Sequence, residues 1–175
     1  MTFSTILLVL ACLLLVGAVV LVLKPRWVAA VPAWVGMMLL YWGDFLNSTT
    51  MPGWKLALWT LATLIVVMLK FYQPSGEPDG RNTGNLYIGL GAMMGALVGI
   101  VLGSSFVVLA TILGALLGMM AYSRTPHGKW IKFGNSIFIQ YFCARCLPAI
   151  VAVSMIGMCA EAILFYIKTC YYYSV

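Results

Sequence analysis

LYIGLGAMMGALVGIVLG at 86–103 and FVVLATILGALLGMMAY at 106–122 are two apolar stretches joined through Gly103-Ser104-Ser105. Gly91, Gly95, Gly99 and Gly103 recur every fourth residue, and Ala110, Gly114 and Gly118 repeat that spacing on the second stretch. Residues four apart share one face of a helix, so each stretch presents a smooth stripe that another backbone can approach closely. Each Gly costs about 1 kcal/mol of helix propensity relative to Ala, so a stripe of them implies a compensating contact. Three uses are open: packing of the two helices on each other within one chain, contact between subunits, or the lining of an ion or solute path. At ~1.5 Å per residue each helix is barely as long as the hydrocarbon layer is thick. The pair therefore either spans or re-enters.

The rest of the composition places the stripes in lipid. Of 175 residues, 63% are hydrophobic and 8% charged, and ten Lys and Arg with four Asp and Glu cannot cover a soluble surface. The reading is an all-α integral membrane protein with five to six hydrophobic helices, in one domain over 1–175. The net charge of +6 does not point to nucleic acid, because the basic residues sit at the ends of apolar runs, where they orient helices.

Spans are expected at about 4–23, 27–45 and 54–72, followed by the glycine-rich hairpin at 86–122 and a last span at 137–167 that tilts or kinks at Pro148. The first run lacks a basic leader region and continues past Cys12, so it reads as a span and not a removed signal. Gln73 to Asn85, with two Pro, three Gly and three charges, reads as a solvated loop. Alternating the ends places Lys24, Arg26, Lys70, Arg81, Arg124, Lys129 and Lys132 on one face and only Lys55 and Lys168 on the other. The positive-inside rule makes the first face cytoplasmic and both termini external. Residues 123–136 read as an interfacial segment, with Trp130, Phe133 and Ile137 on one helical face. Arg124, Lys129 and Lys132 would meet anionic lipid headgroups there.

Candidate chemistry is sparse. Cys143-Ala144-Arg145-Cys146 is a C-x-x-C in which Arg145 could favour a thiolate, as a redox pair needs. The opposing reading is a pair of small apolar packing residues on the reducing side of the membrane. Zinc is not expected, since His127 is the only histidine and no second ligand pair accompanies the motif. Asp44, Arg145 and Glu161 are the ionisable residues expected within or at the edge of the membrane. Either they fix helix register at the interface, or Asp44 or Glu161 carries a proton or cation step. Gly89-Leu90-Gly91 with Gly95 is one residue too long for a dinucleotide fingerprint and follows no strand. No cofactor is expected. Partners are the bilayer itself and a second copy or another membrane protein.

A long first span, tryptophan-bearing second and third spans, a polar loop, the paired glycine-repeat helices of Gly91 to Gly118 and a final span resemble the bacterial membrane proteins of domain-of-unknown-function family 456. Where that pattern has Pro-Gly after the first span and an acidic residue after the last repeated glycine, Lys24-Pro25-Arg26 and Met119 stand here. The resemblance implies a bacterial inner-membrane location and a helical architecture, and it supplies no catalytic residues.

The topology has a direct check in cysteine labelling on a background without the native cysteines. A cysteine at Asp79 is expected to resist an impermeant maleimide in intact cells and to react after permeabilisation. Labelling from outside would reverse the orientation.

Overall fold

A computed structural model describes residues 3–23, 29–46, 51–71, 83–126 and 136–173. Among these, all regular structure is helical. The helices are α1 (Phe3–Leu23), α2 (Ala30–Trp42), α3 (Gly53–Phe71), α4 (Thr83–Leu102) and α5 (Ser104–Ser123). The last rod is α6 (Ser136–Tyr141), which continues through a π turn (Phe142–Cys146) into α7 (Leu147–Tyr173). Three stretches are long and apolar enough to cross a membrane: Phe3–Leu23, Phe106–Ser123 and Phe138–Lys168. Ala30–Trp42, Gly53–Leu69 and Leu86–Leu102 are shorter apolar segments.

The interior mixes alanines with larger side chains such as Met37, Leu40, Ile88, Met119 and Met155, and the exterior also carries large apolar ones. Ala11, Ala18, Ala30, Ala33, Ala92, Ala115 and Ala152 are fully buried, whereas Val101 is 87% exposed and Leu13, Leu117 and Met94 more than 60%. Along α4 the outward residues Leu90, Met94, Leu97, Val98 and Val101 follow the helical repeat on the face opposite the glycines. In water this arrangement would forfeit most of the available hydrophobic burial. Surrounded by acyl chains it costs nothing, and small interior residues let helix backbones approach for dispersion contacts.

α7 is the hub. Residues Ile150 to Met155 are all buried, and the helix touches α1, α2, α3, α4 and α5. α1 and α2 close on each other where Gly36 meets Leu15: a Cβ on Gly36 would lie 3.1 Å from Leu15 Cγ. α3 is tied to α2 by a hydrogen bond from Trp34 Nε1 to Thr60 Oγ1 (3.0 Å), and the Thr60 hydroxyl donates in turn to the Leu56 carbonyl. The packing also fixes helix directions. Gly89 of α4 lies against Val22 and Leu23 at the end of α1. At the other end of the bundle, Phe45 after α2 meets Tyr166 of α7 edge-on, with centroids 5.1 Å apart.

The most extensive helix contact is between α4 and α5. A Cβ built on Gly95 would land on the carbonyl oxygen of Ala110, and one on Gly91 would land on that of Gly114. Reciprocally, a Cβ on Gly114 would strike the Gly91 carbonyl, and one on Gly118 the Tyr87 carbonyl. On Gly99 it would sit 2.5 Å from the Cα of Val107 and 3.2 Å from Ala110 Cβ. Gly103 departs from the expected stripe. It stands alone between the two helices at φ +117°, and its Cβ position faces open space. Its task is the turn, since that backbone conformation is open to glycine and strained for other residues.

Two further features differ from expectation. α2 covers 13 residues, about 20 Å at ~1.5 Å per residue, because Gly43 caps it and Asp44 turns the chain with φ +64°. The last rod runs on to Tyr173 past its apolar stretch Phe138–Lys168, which matches the expected span at 137–167, and its irregularity is a π turn upstream of Pro148. There the Leu147 N–H donates to the Phe142 carbonyl, five residues back. Pro148 supplies the physical reason: it lacks an N–H, and in an α-helix its ring would press on the carbonyl of Ala144. A widened turn moves that carbonyl away.

A bulky residue in the α4–α5 seam meets backbone, which cannot step aside. Gly95→Leu or Gly99→Leu is expected to lower stability by about 1–3 kcal/mol through overpacking, while Met94→Leu and Val98→Leu, on the exposed face, stay near neutral. Thermal melts of the four detergent-purified variants check this. Equal melting of the seam and exposed-face variants would mean that the seam is not closed.

Candidate functional site

The π turn holds the C-x-x-C. Cys146 is fully buried, with its Sγ 3.6 Å from Met119 Sδ on α5, whereas Cys143 is half-buried. The i→i+5 bonding widens the turn, so three residues sweep less of a full rotation than in an α-helix. The two sulfurs therefore stand further apart around the axis than the motif spacing suggests. Cys12, Cys143, Cys146 and Cys159 are all free thiols. Cys146 is placed as a small soft apolar group packed against a thioether.

Arg145, between the two cysteines, is half-buried. Glu161 is half-buried on α7, sixteen residues further on, about 24 Å along a helix at ~1.5 Å per residue. The structure thus does not bring Arg145 and Glu161 together. Asp44 is exposed at the opposite end of the bundle from Arg145, beside the Phe45–Tyr166 contact. Its N–H donates to the Tyr41 carbonyl at 3.2 Å, completing the turn that ends α2. Asp and Asn tolerate the left-handed conformation better than other non-glycine residues, which accounts for an Asp at this corner. Among the described residues, no group of three His, Cys, Asp or Glu side chains gathers to hold a metal. Arg124 is exposed, just past the end of α5, and its N–H caps the helix on the Ala121 carbonyl. His127, Lys129, Trp130, Lys132 and Phe133 lie outside the described residues, and with them most of the expected interfacial segment.

Sequence reading missed a layer of tyrosines at the end of the bundle that holds the π turn. Tyr122 and Tyr141 stack with centroids 6.2 Å apart, and Tyr87 leans on Tyr122 at 5.9 Å. A Cβ on Gly84 would collide with the Tyr141 hydroxyl and would sit 2.9 Å from Tyr122 Cε1, so glycine at 84 is what admits the two rings. The three tyrosines come from α4, α5 and α6, and only the fold shows that they meet. Also unforeseen is Ser154, fully buried on α7, whose hydroxyl has no hydrogen-bond partner among the described residues.

Comparison with known proteins gives no match: no family model, no curated protein and no solved structure is similar to this chain.

The two roles open to Asp44 separate by substitution. If it serves the turn alone, Asp44→Gly leaves stability and any transport or growth phenotype intact. Asp44→Val, β-branched in a left-handed position, then costs about 1–2 kcal/mol. Melting curves and a phenotype assay check both. Loss of function in Asp44→Gly with unchanged melting would assign the carboxylate a proton or cation step.

Proposed function

We propose that this chain is a multi-pass protein of the bacterial inner membrane with a structural or accessory role, exerted through helix packing with itself, a partner or lipid, and without catalysis. In this reading six hydrophobic helices cross the bilayer, or four where the glycine hairpin re-enters, and both termini lie outside. Arg124, with Lys129 and Lys132, meets anionic headgroups on the cytoplasmic face. The likeness to domain-of-unknown-function family 456 belongs to the same proposal.

The observation that carries it is the mutual burial of the two glycine faces. Gly91, Gly95 and Gly99 on α4 and Gly114 and Gly118 on α5 meet backbone of the other helix of the same chain. A stripe filled in this way is taken out of use as the wall of a solute path or as a seam between subunits. The surface left for partners is the apolar exterior of α1, α3, α4 and α5. The thiol oxidoreductase reading draws less support, because Cys146 is buried against Met119 while Cys143 is not.

The test combines native mass spectrometry of protein extracted with its lipids and flux in proteoliposomes. Retained lipid or a retained protein partner, with no proton-driven uptake, is the expected result. Proton-coupled flux that disappears in Glu161→Gln or Asp44→Asn would overturn the reading in favour of a transporter.

A further inference from the structure

The last rod is one helix by hydrogen bonding, but its two halves are anchored very differently. α7 is locked through Ile150 to Met155, which are buried among five other helices. Among the described residues, the backbone of α6 comes close to none of the other rods and only to the π turn that follows it. Ile139 and Gln140 are exposed. The firmest tie of α6 to the bundle is Tyr141, whose ring stacks on Tyr122 and whose hydroxyl lies over Gly84. Phe138, partly buried against the core, adds to it.

The turn between the halves packs against α3, α4 and α5, but its own backbone hydrogen bonding is interrupted. Leu147 donates to Phe142, and residue 148 has no N–H to give. A carbonyl of the Cys143–Ala144 pair is thereby left without its helical donor. Breaks of this kind, a π turn followed by proline, are where helices bend.

We infer that the π turn Phe142–Cys146 with Pro148 is a swivel that lets α6 release Tyr141 from Tyr122 and Gly84 while α7 stays fixed. The released state uncovers the Tyr87–Tyr122 end of the α4–α5 hairpin and leaves the glycine seam below it closed. Cys146, at the α7 edge of the turn and packed on Met119, marks the point beyond which nothing moves.

Hydrogen exchange of the full chain in detergent, read by mass spectrometry, tests this. In the unsubstituted protein, amides of Cys143 to Leu147 are expected to exchange at least about tenfold faster than those of Val151 to Met155, since local opening there leaves α7 intact. Pro148→Ala, which restores a donor, should narrow that gap severalfold. Tyr141→Ala should speed exchange across Phe138 to Phe142 by about tenfold and leave Val151 to Met155 unchanged. Equal protection of the π turn and the α7 core would overturn the swivel, and so would an unchanged gap in Pro148→Ala. Acceleration of the α7 core by Tyr141→Ala, in step with α6, would also overturn it, because the rod would then move as one body.

Discussion

The constraint on which the rest of the structure depends is the approach of two helix backbones to each other with nothing between them. In hydrocarbon there is no hydrophobic force to drive helices together, since acyl chains are as apolar as leucine. What remains is dispersion, which falls off within an ångström of optimal contact and rewards interfaces without gaps. Glycine lets α4 and α5 reach that limit. At Gly91, Gly95, Gly114 and Gly118 the surface met is a carbonyl of the facing helix, at Gly114, Ala110, Gly91 and Tyr87 in turn. The large side chains of the two helices face outward instead, as Leu97, Val98, Leu109, Leu113 and Leu117, all of them exposed.

From that pair the rest of the bundle follows. α7 packs on both helices of the pair with a glycine of its own: a Cβ on Gly157 would lie 2.8 Å from Val107 Cγ1 and 3.6 Å from Ala96 Cβ. α7 then carries α1 and α2 on its other side through alanine-rich faces, and α3 hangs at the edge, tied to α2 by the Trp34–Thr60 bond. Polar side chains inside such a bundle bond to the backbone one turn away, as Thr63 does to Trp59 and Thr111 to Val107. Among the described residues, Ser154 is the buried exception.

The all-helical architecture, with helices long and apolar enough to cross a membrane, was legible because it depends on apolar run length and on the scarcity of charge, both additive along a sequence. Helix ends were legible where charge or Pro and Gly punctuate them, and less so elsewhere. α2 stops at Trp42 because an aspartate adopts a left-handed turn, a choice that residue type permits but does not demand. Gly103 carries the same spacing as the other glycines and does a different job, because spacing cannot tell the last residue of a stripe from the first of a turn. The π turn escaped notice for a related reason: Pro148 announces an irregularity, while the register that absorbs it is set by packing against α4 and α5. The chemistry of the cysteines could not be read from C-x-x-C alone, since the motif assumes an α-helical turn that this chain does not make. The tyrosine layer is tertiary from the start, with partners 35 and 19 residues apart in sequence.

The central claim, that α4 and α5 touch backbone to backbone inside one chain, is open to one direct measurement. Magic-angle-spinning NMR of protein labelled with 13C only at glycine and reconstituted in lipid reports carbon pairs a few ångströms apart. Dilution into unlabelled chains removes contacts between copies. The structure predicts cross-peaks between Gly95 Cα and Gly114 Cα and between Gly91 and Gly118 that persist on dilution. Their absence, or their loss on dilution, would place the glycine faces against lipid or another subunit and contradict the account.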